Sequence, residues 1–383
     1  MIDDYIEHYY TEDTNIFFHN KVCYSSQEGH VNILEWFKNN TRETVLNYDG
    51  DAISSASKYG HVSVLEWWKN SGYELKYDSK PVEYASKNGH IDVLEWWKNS
   101  GLELKYDNNA MNWTSLRGNI DVLEWWKNSG LELKYNYVAV AFASEKGHID
   151  VLDWWKNSGL VFKWNEQAVD AASGYGHIDV LNWWKNSGYE FKYFGNGIGR
   201  ATEHGHIDVL DWWKNSGYEL KIMNQWVMSV ASRADNSIDV LEWWKNSGYE
   251  LTYDAHTTSF ASICGNVDAL EWWKNSGLEV KYDISAVEGA SRMGHVHVLE
   301  WWKNCGYTFM YNENAITIAS SNGHLDVLKW FRDSPYVFKF TEMTIKVALR
   351  NEHHDIVEWF TENGYNESTD MIIGGIDPDV FDY

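Results

Sequence analysis

Proline is nearly absent from this 383-residue chain, with three in all, so little in the sequence interrupts helix; an internal proline deletes a backbone hydrogen bond and clashes with the preceding turn. Cysteine is as scarce. Cys23, Cys264 and Cys305 lie far apart, without metal-type spacing or a disulfide framework, and read as free thiols in a reducing compartment. No run of about 18 apolar residues occurs, and the opening MIDDYIEHYY has no basic stretch followed by an apolar one. A cytoplasmic, non-membrane protein is expected. Positive charge is also short: 32 Lys and Arg face 56 Asp and Glu, a net charge of −24. That balance repels phosphate backbones and anionic bilayers, so neither nucleic acid nor membrane is expected as a partner.

What is abundant is aromatic. Hydrophobic residues make up 44 % of the chain and aromatics 16 %, with 24 Trp, enough apolar area for a core and against general disorder. Much of it sits in one phrase, GHIDVLEWWKNSG, which recurs with its leading residue at Gly29, Gly60, Gly89, Gly118, Gly147, Gly176, Gly205, Asn236, Gly265, Gly294, Gly323 and Glu352. The spacing is 29 residues, and 31 at the first and seventh junctions. A fixed period of this size is the mark of a repeat array.

Each unit reads as two short helices. In Ile91–Ser100, a step of 100° per residue gathers Val93, Leu94, Trp96 and Trp97 into an arc of about 160°, opposite Asp92, Glu95, Lys98 and Asn99. Asp92 and Lys98 lie at the ends where the helix dipole favours their charges. Asn99, Ser100 and Gly101 then stop the helix, the glycine suiting a left-handed residue. Both tryptophans are expected in the core, and the acidic face in solvent.

The earlier helix occupies the nine residues before the leading glycine. Seven before it the residue is apolar (Ile53, Val82, Met111, Val140), and eight before it small (Ala52, Ala110, Ala139); four and three before, Ala-Ser recurs, as in Ala56-Ser57 and Ala85-Ser86. Small side chains there allow close helix approach. The positions nine, six, five, two and one before the glycine vary, and fall on the opposite face of the wheel. The recurring face is expected to pack; the varying face is free to choose a partner.

The pattern Gly89-His90-Ile91-Asp92-Val93-Leu94 closing at Gly101, with Pro81-Val82 and Ala85-Ser86 before it, resembles the ankyrin repeat over roughly residues 20 to 364. The resemblance implies an all-α, ankyrin-like helical repeat solenoid of about twelve helix-turn-helix units. Ankyrin units typically run to 33 residues, and the shortfall lies in the connector, so the family's β-hairpin fingers should be shortened or absent. Members commonly bind proteins on a concave surface of first helices and finger tips. That implies a scaffold, or alternatively a structural component of a larger assembly.

On the varying face, the large side chains and cations typical of interface hot spots give the candidate partner-binding set: Tyr59, Tyr84, Trp113, Leu116, Arg117, Phe142, Tyr175, Arg200, His204, Trp226, Phe260, Ile263, Arg292 and Met293, of which Trp113, Phe142 and Phe260 read equally as half-buried packing residues. The expected partner is a basic or mixed-charge protein, and the chain itself a monomer. Catalytic, cofactor and metal sites are not expected: the motifs of phosphate loops, nucleophile elbows and zinc proteases are missing. The recurring histidines, about 10 Å apart in stacked units, cannot share a zinc; they read as turn residues bonded to backbone. Residues 1–19 read as a capping segment and 365–383 as an acidic tail that is mobile, docked on the last unit or a short linear motif, beyond a repeat array at 20–364.

Overall fold

Nine-residue helices are too short to persist alone in water, so each must be stopped cleanly and buried against its neighbours. The computed structural model describes residues 14–40, 48–221, 226–234, 236–365 and 371–373, with backbone alone for 14–20 and 371–373. Among them are 24 helices in alternating pairs, from Thr14–Gln27 and Val31–Asn40 to Glu342–Arg350 and His354–Glu362. The first helix therefore begins inside the stretch read as a cap; residues 1–13 lie outside the described residues. The chain forms two compact units, divided between Phe194 and Gly195, each with six repeats. Within each unit, first helices pack mainly on the first helices of adjacent repeats and on their own second helix.

Repeat 3 shows how the sequence does this. Lys80–Asn88 ends at Gly89, whose φ of +84° a side chain would strain. Ile91–Asn99 follows. Its end is tied by Asn99 Nδ2 donating to the Glu95 carbonyl (3.0 Å) and Ser100 Oγ to that of Trp97 (2.9 Å), while Leu102 N donates to Ser100 Oγ (3.1 Å). Val82, Ala85, Ser86, Val93, Leu94 and Trp97 are all buried.

The tandem tryptophans divide the labour, against the expectation that both are core. The second is fully buried: Trp97 is 1 % exposed, and its indole N–H donates to Ser57 Oγ of the previous repeat at 3.1 Å. Trp126 to Ser86, Trp155 to Ser115 and Trp184 to Ser144 repeat the bond in the first unit; Trp244 to Thr202, Trp273 to Ser232 and Trp302 to Ser262 do so in the second. The first of each pair is mostly half-buried, and its indole donates to an acid on the previous second helix: Trp96 to Glu66 (2.8 Å), Trp125 to Glu95 (3.0 Å), Trp272 to Glu242 (3.0 Å). These acids are solvated, as expected, yet each also holds a neighbour. The indole N–H is the leading cause holding Glu66 and Glu95 below the usual carboxylate range; for Glu242 the Asn246 amide comes first.

Two further expectations are corrected, and the connectors carry a feature of their own. The position six before the glycine belongs to the buried set, because the next connector closes over it: Ser54, Glu83, Asn112 and Asp170 are at most 8 % exposed, Asn112 Nδ2 donates to Asn136 Oδ1 (3.1 Å), and Asp170 accepts from Phe194 N (3.1 Å). The fold is not wholly helical. Phe338–Phe340 pairs antiparallel with Met371–Ile373, with Lys339 opposite Ile372, so of the readings offered for the tail, docking on the last unit is the one this strand fits. Finally, the connectors carry an aromatic ladder. In the first unit, Lys76, Lys105 and Lys134 each stand over the ring of Tyr48, Tyr77 and Tyr106 (4.7 to 4.8 Å), and those hydroxyls donate to the carbonyls of Glu74, Glu103 and Glu132. Of the described connector residues only Phe338–Phe340 are in a strand.

Candidate binding surface

In most repeats the first helix ends at a left-handed glycine, with Asn236 and Glu352 in its place at repeats 8 and 12. What holds the residues just before the glycine in place is the histidine of the next repeat. His90 Nε2 bonds the Lys58 carbonyl (3.0 Å), His148 that of Leu116 (3.2 Å), His177 that of Glu145 (2.8 Å), and Asn119 Nδ2 that of Lys87 (3.0 Å). The same ring fills the space beside the glycine. A Cβ on Gly60 would stand 2.8 Å from His90 Nδ1, closer than real Cβ atoms approach. Histidine thus clamps the backbone of the very residues that vary.

Those residues face outward. Tyr59, Arg117, Tyr175, Arg200, His204, Trp226, Arg292 and Met293 are exposed. Tyr84, Trp113, Leu116, Phe142, Phe260 and Ile263 are half-buried. Tyr84 and Trp113, at the same position in adjacent repeats, stack with centroids 6.0 Å apart and planes 10° off parallel. In the second unit Phe260 lies between Trp226 (6.3 Å) and the Arg233 guanidinium (5.7 Å), which also bonds Glu203. The candidates therefore form separate clusters along the helix ends, within each unit.

Sequence reading missed the lysines among them. Lys58 stands over Tyr59 (4.8 Å), Lys87 over Trp113 of the next repeat (4.9 Å) and Lys146 over Tyr175 (5.1 Å). With Arg117 they place a cation near the end of four successive first helices, repeats 2 to 5. Asp51, Lys58, Tyr84, Lys87, Asn88 and Arg117 line a groove of about 610 Å³. The signal was available, since cations in four successive units stand out in a chain with far more acids than bases; they were hidden because the residue and the exact position change from lysine two before the glycine to arginine one before it.

Half-buried Cys23 and buried Glu83 lie near this surface. Burial, then the Asp49 and Asp51 charges, push the Cys23 thiol up to about 12, so it is not a thiolate at neutral pH. Burial raises Glu83 as well, with Asp107 adding to the shift. Among the described residues, no group of three His, Cys, Asp or Glu side chains could hold a metal, and no helix is long and apolar enough to cross a membrane.

No family model matches the sequence, and no curated protein does. Among solved structures the chain is similar to the pentatricopeptide repeat protein PPR10 in complex with an 18-nucleotide psaJ RNA element, at 11 % identity and a TM-score of 0.39, and to a cysteine-to-serine variant of that protein in the same kind of complex with the same figures. The match covers 89 % of this chain, which spans 57 % of the length of those chains. This is a helical-repeat protein. The expected exclusion of nucleic acid is corrected: both of these solved structures are complexes with RNA, and net charge summed over a chain does not describe the local charge of its surface.

Proposed function

We propose that the chain is an ankyrin-like scaffold that holds a protein partner against the ends of its first helices. One observation carries this reading: the recurring apolar, Ala and Ser side chains are buried and the second tryptophan is bonded into the previous repeat, whereas Tyr59 and Arg117, at positions that change from repeat to repeat, end in solvent next to a carbonyl that a histidine holds. A frame of that kind fixes side chains without spending them on stability, which lowers the ordering cost of binding. Aromatic and arginine groups such as Tyr175 and Arg117 then supply anchors.

The test is a pull-down from native cells with the wild type and with Arg117→Ala/Tyr175→Ala. Both residues are exposed, so the melting temperature should stay close to the wild type, while a specific soluble protein is lost from the variant. A partner retained unchanged would overturn the surface assignment. Recovery only within a large assembly, insensitive to the variant, would favour a structural role.

A further inference from the structure

We propose that the groove across the first-helix ends of repeats 2 to 4 receives an extended acidic peptide, with carboxylates at about every third residue. This rests on the scaffold reading and names the chemistry of its partner, reversing the expectation of a basic one.

The charge argument comes first. Lys58, Lys87 and Arg117 line the groove against a single acid, Asp51, and Asp51 lies close enough to Lys80 to stabilise that ammonium. None of the three groove cations forms an ion pair among the described residues. The contrast is with cations elsewhere: Lys98 sits beside Glu95 and lowers its pKa, Lys146 is 2.9 Å from Glu145, and Arg233 is 2.7 Å from Glu203. Lys58 and Lys87 are instead held against aromatic rings, which orients the ammonium without neutralising it. A partner that brings carboxylates completes these groups; one that brings cations leaves them opposed.

Spacing selects the form of the acid. Packed helices stand about 8 to 10 Å apart, so one cation per repeat gives roughly that interval. An extended chain advances about 3.3 to 3.6 Å per residue, which puts every third residue in step.

The probe is a fluorescein-labelled peptide repeating Asp-Gly-Ser, followed by anisotropy on the full chain at about 0.15 M salt. Controls are the same composition with its aspartates in one block, a Lys-Gly-Ser repeat, and an oligouridylate of matched length. The expected result is tighter binding of the spaced acidic peptide than of all three controls, weakened at least tenfold by Lys58→Ala/Lys87→Ala/Arg117→Ala and unchanged by Lys98→Ala/Lys127→Ala on the second helices. Equal binding by the triple variant, preference for the oligouridylate, or preference for the basic peptide would each overturn the proposal. If the acidic peptide fails while a native partner is still captured in a Tyr175-dependent manner, the acidic occupant falls and the scaffold reading stands.

Discussion

Repeats 3 to 6 and repeats 11 and 12 fill the same slots with different residues, and the contrast shows what each slot is for. In the former, a buried tryptophan bonds a serine one repeat back. In repeat 11 the slot holds Phe331, still fully buried, and the serine it should meet, Ser291, has a buried hydroxyl with no partner. Apolar filling is thus sufficient for burial, and the indole N–H is there to satisfy the serine. The leading glycine gives the second lesson. At repeat 12 Glu352 takes its place at φ +64°, where no histidine from a following repeat stands against its Cβ among the described residues. Left-handed backbone alone permits a side chain at a cost; where a histidine ring of the next repeat stands beside the glycine, as at Gly60 and Gly147, there is no room for one.

The largest effect expected from this contrast is at the buried indole. Trp97→Phe should strand Ser57 as Ser291 is stranded and cost about 1 to 3 kcal/mol, read by denaturant unfolding; Phe331→Trp, run in parallel, should lose little or gain. Equal losses in both would mean that size, not the N–H, matters in this slot. Glycine comes next. Gly147→Ala, at φ +76° and with the added Cβ 3.0 Å from His177 Nδ1, should cost at least about 1 kcal/mol, whereas Glu352→Gly should stabilise by up to about that amount. A neutral Gly147→Ala would show that the histidine yields.

Serine provides a smaller, sharper pair: Ser57→Ala should destabilise by about 1 kcal/mol, and Ser291→Ala should be neutral or favourable, since its hydroxyl gains nothing where it lies. The least effect is in the pH dependence. Glu66, Glu95, Glu271 and Glu300 are held below their ordinary pKa of 4.5 chiefly by an indole N–H. A depressed folded pKa means that their contribution is present above the unfolded value and is lost as pH falls through the folded one. Stability should therefore decline below about pH 4.5, and Glu66→Gln/Glu95→Gln should flatten that decline. In repeat 11, Lys329 takes the acid's place, and Trp359 lies 5.4 Å from the Arg332 guanidinium instead, a contact that does not depend on carboxylate charge.

How much of this the sequence disclosed depends on whether a residue repeats. The two-helix unit, the Ala-Ser positions and the outward set with Tyr59, Arg117 and Tyr175 followed from periodicity, because twelve copies act as their own comparison. Periodicity could not tell Trp96 from Trp97: both lie on one apolar arc, and which is sealed depends on the serine and the acid contributed by another repeat. It also put Glu83 and Asn112 with the variable residues, since connectors bury them differently in each unit. The cations of the groove were hidden for a related reason. Lys58, Lys87 and Arg117 belong together through space, and a wheel drawn for one helix has no axis for that.

The histidine clamp has a consequence for how such a chain changes over generations. Because each ring reaches back to the glycine and carbonyl one period earlier, excising or duplicating one whole period joins a like ring to a like glycine and rebuilds the seam unaltered. Copy number can drift while every joint of this kind stays sound.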